Sequence, residues 1–201
     1  GLCGGLNNNV VKTILNEVDA NKGKNIKLRC IGKKGHDQLK NIFANNIHKY
    51  QIGFSSKPIH YENAKEISTE IMELFSGSAI DECKIIFPYF KSAISQETTV
   101  KSLIPCEAEQ KSTAETDTLY EYEPAKEKLL TEIVPKNISV QIFQALLETF
   151  ASEQGSRMTA MDNAVNNCAD MIKNLGLVYN RTRQAKITTE LVEIISAAES
   201  I

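Results

Sequence analysis

The chain has 201 residues, of which 42% are hydrophobic and 24% are charged, and its formal net charge is −2. This composition is that of an ordinary globular protein of one or two domains, and the near-neutral charge argues against a dedicated nucleic-acid binder, which carries a strong basic excess. No apolar run approaches the ~18–20 residues of a membrane-spanning helix, and no basic start followed by an apolar stretch indicates a signal peptide.

Residues 1–135 alternate predicted helices and strands. Apolar spacing predicts helices over 7–19, 37–46, 61–75 and 124–134, and strands over 26–31, 50–54, 83–90, 98–104 and 119–122. Residues 107–118 are polar without periodicity, which indicates a surface loop. The alternation is typical of a layered α/β domain.

Residues 136–201 contain no proline, and this indicates one long helix. Apolar and small residues recur there at alternating spacings of four and three, the seam of a coiled coil sustained over about five heptads. The seam residues are Leu147, Ala151, Gln154, Met158, Met161, Val165, Cys168, Ile172, Leu175, Tyr179 and Thr182. Such a seam needs a partner helix, from a second chain or from a segment preceding Gly1, and the residues alone leave both sources open.

The end of this helix is apolar over a wide arc. No positive charge follows Lys186, and the apolar residues are Ile187, Leu191, Val192, Ile194, Ile195, Ala197, Ala198 and Ile201. An uncovered tip of this kind would associate nonspecifically in water. We therefore expect the tip to be housed in another protein.

The glycine-rich start, residues 1–7, invites a phosphate-binding interpretation. It matches neither GxGxxG nor GxxxxGK[ST], so a tight strand-to-helix turn with positive φ is the favoured reading. For residues 32–35, Gly-Lys-Lys-Gly, a solvated turn is favoured over a phosphate site.

No side chains form a convincing catalytic or metal site. Ser55, Ser56 and His60 lack an identifiable orienting acid, and the paired acids Glu107 and Glu109 lie in the polar loop. The histidines (His36, His48, His60) share no ligand spacing, and the cysteines (Cys3, Cys30, Cys83, Cys106, Cys168) contain no CxxC pair. We expect reduced, mostly packed thiols, no metal and no cofactor.

Two polar groups lie on the long helix. Beside the seam, Arg157, Asp162 and Asn163 are predicted to be free to contact something else. Arg183 and Gln184 could form planar, multi-donor hydrogen bonds to carboxylates, although a solvated helix face is the alternative.

Four stretches, residues 1–7, 91–96, 152–164 and 179–195, closely resemble the gamma subunit of F-type ATP synthases. The resemblance implies a Rossmann-like foot over 1–135 that binds no dinucleotide. It also implies that 136–201 is one strand of an antiparallel coiled coil, and that the N-terminal helix and first strand of the family would precede Gly1. The tip departs from the family, whose members usually end in a Gly/Ala-rich sequence.

The resemblance further implies a rotary shaft, a non-catalytic part that couples proton-driven rotation of a membrane rotor ring to conformational change in a catalytic hexamer. The implied partners are the alpha and beta subunits, an epsilon-type (mitochondrial delta-type) subunit and the ring of c subunits, with no nucleic acid. Arg183 and Gln184 match the positions that engage a beta subunit, called the catch. The implied location is peripheral, on the cytoplasmic side of a bacterial inner membrane or the matrix side of the mitochondrial one.

Two other functions fit the bare residues. One is a homodimeric coiled-coil scaffold with an α/β head, and the other is a small enzyme that binds nucleotide or phosphate at the glycine-rich turn.

Overall fold

The structure is a computed structural model that describes residues 2–44, 46–51, 58–106, 123 and 126–199. The elements in chain order are α1 (Leu6–Ala20), β1 (Leu28–Ile31), α2 (Lys33–Leu39), β2 (Ile47–Gln51), α3 (Tyr61–Ser76), β3 (Cys83–Phe90), β4 (Gln96–Ile104) and α4 (Lys126–Glu199). Residues 1–158 and 159–201 form two separate compact units.

The described strands pair in two ways. Strands β1 and β2 are parallel, with Leu28 opposite Ile47, and α2 connects them. Strands β3 and β4 form an antiparallel hairpin in which Phe87 lies opposite Thr99. Helices and strands alternate as far as β3, and the β3–β4 hairpin then precedes the long C-terminal helix, so the predicted α/β class with a long C-terminal helix is confirmed.

The second helix is displaced from its predicted position. It runs from Lys33 to Leu39 rather than over 37–46, because Gly32 at φ 114° turns the chain directly from β1 into the helix. The predicted strand 50–54 begins earlier, at Ile47, and its residues 52–54 lie outside the described residues. The predicted loop 107–118 and strand 119–122 also lie outside them.

The prediction that a helix ends near Pro135 was wrong, because α4 runs continuously from Lys126 through that proline. An interior proline removes one helical hydrogen bond and costs about 3 kcal/mol. Its own carbonyl oxygen accepts hydrogen bonds from Ser139 Oγ (2.9 Å) and Ser68 Oγ (3.3 Å). Directly after it, Ile138 and Ile142 are each 1% exposed, and their burial offsets the cost. The domain boundary at residue 135 stays a prediction.

The hydrophobic core lies where α3, β4 and the first turns of α4 meet. Its buried members are Ala64, Ile67, Leu103, Ile104, Ile138 and Ile142. Burying a large aliphatic side chain contributes about 1.5–3 kcal/mol. This cluster therefore holds the start of α4 against the rest of the 1–158 unit.

An ionic cluster joins β1, β2 and α3. Glu70 Oε2 lies 2.6 Å from Arg29 Nη1 and 2.6 Å from Lys49 Nζ, and the side chains of Glu70 and Arg29 are 20% and 17% exposed. Burial raises the pKa of Glu70, but the hydrogen bond from Lys49 and the charge of Arg29 together outweigh it. The net effect holds the pKa of this carboxyl below its ordinary value.

We expect the Glu70→Gln variant to be less stable than the parent at pH 7. A lowered pKa in the folded state means that the charged carboxylate stabilises the fold above the unfolded-state pKa, about 4.5, and that this contribution disappears as the pH falls through the folded-state value. The difference in the free energy of unfolding, measured by urea titration with tyrosine fluorescence, should therefore shrink towards zero as the pH falls below about 4.

The control is Glu66→Gln, an exposed position on the same helix. A difference between parent and Glu70→Gln that stays constant from pH 7 to pH 3 would contradict the electrostatic explanation.

Candidate functional site on the long helix

Helix α4 presents one face to the end of the β3–β4 hairpin. The helix residues are Glu148, Ser152, Gly155 and Ser156, whose spacings of four, three and one place them on one side of a helix. Their partners lie in the hairpin between Pro88 and Gln96. We name this contact the hairpin clamp.

Two hydrogen bonds tie α4 to the end of β3. Ser152 Oγ donates to the carbonyl oxygen of Pro88 at 3.0 Å, and Ser152 is fully buried. The backbone N–H of Phe90 donates to Glu148 Oε2 at 2.9 Å. A carboxylate acceptor makes the second bond stronger than one between neutral groups.

Gln96 links the turn of the hairpin to the helix. Its Oε1 accepts from Ser156 Oγ at 2.8 Å, and its Nε2 donates to the carbonyl oxygens of Ser92 (3.0 Å) and Ala93 (2.9 Å). The single amide thus bonds the helix on one side and closes the turn on the other.

Gly155 allows the helix and the hairpin to approach closely. A Cβ atom at this position would lie 3.0 Å from Phe90 Cε2 and 3.3 Å from both the Cα and the carbonyl oxygen of Ala93. Contacts of this length leave almost no room for a side chain, so glycine permits the backbone approach.

The hairpin clamp brings together two stretches, 91–96 and 152–164, that the sequence singled out separately. Their contact was not predicted. The available signal was the set of small residues Ser152, Gly155 and Ser156 at helical spacing beside the apolar seam, because small residues mark a close approach of backbones.

Arg157 was predicted to be free to contact another molecule, and this prediction was wrong. Its Nη2 lies 2.5 Å from Glu153 Oε1, and its Nη1 donates to Gln154 Oε1 at 2.8 Å. A glutamate four residues before an arginine is a favourable helical pair, so the guanidinium is held on its own helix. Asp162 and Asn163 are exposed.

The predicted seam is largely uncovered. Leu147 is 43% exposed and Met158 is 60% exposed in the 1–158 unit, where Ala151 is half-buried. In the other unit every described residue from 161 to 198 is exposed, which includes the seam residues Met161, Val165, Cys168, Ile172, Leu175 and Tyr179. Coiled-coil pairing therefore stays a prediction.

The predicted catch residues, Arg183 and Gln184, are exposed on adjacent positions of α4. Over the described part of the chain, neither Arg183 nor Arg181 has a hydrogen-bond or ion-pair partner for its guanidinium, whereas Lys186 lies 3.9 Å from Glu190. Arg183 is therefore available to an acidic partner. Its role as a catch stays a prediction.

The tip residues are exposed as well: Ile187 (50%), Leu191 (53%), Ile194 (66%), Ile195 (54%) and Ala198. Residues 200 and 201 lie outside the described range. The prediction that another protein covers this tip also stays a prediction.

At the other described candidate positions, the structure shows a turn or contacts with neighbouring residues. Gly4 adopts φ 53° in the turn before α1, as the glycine-rich start predicted. His36 stacks on Tyr50 with ring centroids 4.1 Å apart, and the backbone N–H of His60 donates to Asn63 Oδ1 at the start of α3. Ser55 and Ser56 lie outside the described residues.

All five cysteines are free thiols: Cys3 and Cys30 are buried, Cys83 is half-buried, and Cys106 and Cys168 are exposed. Burial raises the pKa of Cys30 and of Cys83. No group of His, Cys, Asp or Glu within the described ranges could hold a metal ion. Among the helices that the structure describes, none is both long enough and apolar enough to cross a membrane.

Comparison of the sequence with known families and proteins gives matches over its whole length. A family model described as "ATP synthase" matches residues 1–201. The ATP synthase gamma chain of Rhodospirillum rubrum is 46% identical over 212 residues, which cover 100% of this chain and 71% of the relative. That of Xanthobacter autotrophicus is 43% identical over 203 residues, covering 100% and 70%.

Solved structures show a similar fold. A chain of the Euglena gracilis mitochondrial ATP synthase matches with a TM-score of 0.71 and 19% identity, covering 100% of this chain and 69% of that one. A chain from the central stalk and c-ring of the Tetrahymena thermophila mitochondrial ATP synthase matches with a TM-score of 0.65 and 24% identity, covering 82% and 71%. At these identities the likeness shows the fold alone.

We expect Gly155→Val to destabilise the 1–158 unit by about 1–3 kcal/mol, the usual effect of overpacking a close contact. Valine is a slightly better helix former than glycine, so a loss of stability must come from the clash with Phe90 and Ala93. The measurement is urea denaturation followed by tyrosine fluorescence.

Gly176→Val is the matched control, because no described atom lies within 4 Å of the Cβ that it adds. If both variants unfold at the same urea concentration, the close approach at Gly155 does not constrain the fold.

Proposed function

The chain belongs to the ATP synthase gamma chain family, and on that basis we infer that it is the central rotary shaft subunit of an F-type ATP synthase. It couples proton-driven rotation of the membrane rotor ring to conformational change in the hexamer of alpha and beta subunits, and so serves ATP synthesis and hydrogen ion transport. The observation that carries this inference is the match over the whole chain at 46% identity.

The exposed apolar residues of α4 support this function. Side chains such as Val165, Ile172 and Leu191 are 67%, 71% and 53% exposed. A contiguous apolar surface of this kind marks an interaction site. A shaft buried among other subunits covers it in two ways, because a partner helix takes the seam and a surrounding sleeve takes the tip.

We place the chemistry of the complex outside this chain, which acts as a non-catalytic subunit. Its glycine-rich turn binds no dinucleotide, in keeping with a sequence, GLCGGLN, that fits neither phosphate-loop pattern. Its partners are the alpha and beta subunits, the epsilon-type (mitochondrial delta-type) subunit and the ring of c subunits. Its place is peripheral, at the cytoplasmic face of a bacterial inner membrane or the matrix face of the mitochondrial one.

The coupling follows from asymmetry. A helix with an apolar seam on one side and polar residues on the others presents a different surface to each beta subunit at any shaft angle. Rotation then changes the affinities of the nucleotide sites in turn, which is a coupling between shaft angle and binding free energy. Arg183 and Gln184 contribute directional donors to a polar loop of one beta subunit at a time.

Copurification tests this function against the scaffold alternative. The tagged protein, purified from membranes of its own cells, should bring down alpha and beta subunits in a complex that hydrolyses ATP. Recovery of the chain only as a dimer with itself, free of ATPase activity, would favour the scaffold instead.

Replacing Arg183 and Gln184 together with Ala should lower ATP-driven proton pumping by the complex reconstituted in vesicles. Loss of hydrogen bonds to a charged partner, each contributing about 1.5–3 kcal/mol, should weaken the contact with the beta subunit by at least about tenfold and so lower pumping per ATP hydrolysed. Arg181→Ala is the matched control, because it removes a guanidinium from another side of the same helix turn. Unchanged pumping by the double variant would rule out the catch assignment.

A further inference from the structure

The hairpin clamp contains the last residues of α4 that are buried within the 1–158 unit. Ser152 and Gly155 are both buried, whereas Met158 is 60% exposed and every described residue from 161 to 198 is exposed. The hairpin thus holds the helix at the end of the stretch that the α/β elements cover. Within this unit, a load on the helix beyond Ser156 reaches the α/β elements first at this contact.

We propose that the hairpin clamp is the torque-bearing joint of the subunit, and that Gln96, Ser156 and Gly155 are positioning residues that fix the rotational setting of α4 against the β3–β4 hairpin. This inference rests on the shaft function proposed above and names the residues that hold α4 against the hairpin.

The chemistry of the clamp suits resistance to rotation. The hydrophobic effect is non-directional, so apolar contacts fix the angle of the helix only through the fit of their side chains. Hydrogen bonds depend strongly on direction, and those from Ser152 to Pro88 and from Ser156 to Gln96 lengthen as soon as the helix turns about its axis.

Gly155 adds a steric stop to these bonds. Its backbone faces Phe90 and Ala93 with no side chain between them. Rotation of the helix in either direction would bring a position that carries a side chain into this narrow gap. The helix is therefore held in one angular setting.

The clamp and the predicted seam occupy different sides of α4. At 100° per residue, the clamp residues Glu148–Ser156 centre roughly 115° around the helix from the seam residues Leu147–Met158. The hairpin can therefore grip the helix while a partner helix occupies the seam. This separation is what a joint in a two-helix shaft requires.

The test uses the complete ATP synthase, assembled with this subunit and reconstituted in vesicles. The double variant Gln96→Ala with Ser156→Ala removes the bond between hairpin turn and helix. Loss of one hydrogen bond of ordinary net strength weakens the contact by about three- to tenfold, and pumping per ATP hydrolysed should fall below that of the parent as a result. Gln144→Ala, an exposed polar position on the same helix, should leave this ratio unchanged.

Two further variants separate positioning from mere stability. Ser156→Thr keeps the hydroxyl donor and should keep the ratio. Gly155→Val should lower the ratio, and adding Phe90→Leu, which removes the ring atoms nearest the new side chain, should restore it.

The outcomes are distinct. If the double variant lowers the melting temperature of the complex but leaves pumping per ATP unchanged, the clamp is structural and the proposal is overturned. If Gly155→Val prevents assembly of the complex, the Gln96→Ala, Ser156→Ala double variant still tests the proposal. If the parent chain does not assemble with alpha and beta subunits at all, the proposed shaft function fails, whatever the clamp does.

Discussion

Apolar side chains along α4 gain free energy when they leave water, and they are covered in part of one unit but exposed in the other. Within the 1–158 unit, Ile138 and Ile142 are each 1% exposed because they pack in the core with residues of α3 and β4. Among residues 159–199, side chains of the same kind, such as Ile172 and Ile194, are exposed. Burial of apolar surface contributes about 25 cal/mol per Å², so covering the second set with a partner would release a large free energy.

The elements with a strong period were predictable from the sequence. Helix α3 and strand β3 match their predicted ranges within a residue, because their apolar spacing is unambiguous and turn residues bound them. The long helix was predicted for the same reason, together with the uninterrupted seam. The exposed apolar surface of that helix could therefore be identified from the sequence.

Features that depend on tertiary contacts could not be predicted. Pro135 is a strong local signal for a helix end, but burial of the residues that follow it overrides that signal. The start of α2 depends on the φ of Gly32, which no periodicity reports. The hairpin clamp is built from serine, glycine and glutamine side chains, and a pattern of apolar residues contains no information about them.

The two faces of α4 also differ in kind. The predicted seam is apolar, so a partner helix paired with it would be held mainly by buried apolar area. The clamp joins small polar groups by hydrogen bonds that depend on direction, as the buried bond from Ser152 to Pro88 and the half-buried bond from Ser156 to Gln96 illustrate. A rotating part needs both properties, since affinity keeps its helices together and direction sets its angle. In this chain the predicted seam and the hairpin clamp lie on different sides of one helix, so the residues of one surface can change without altering the other.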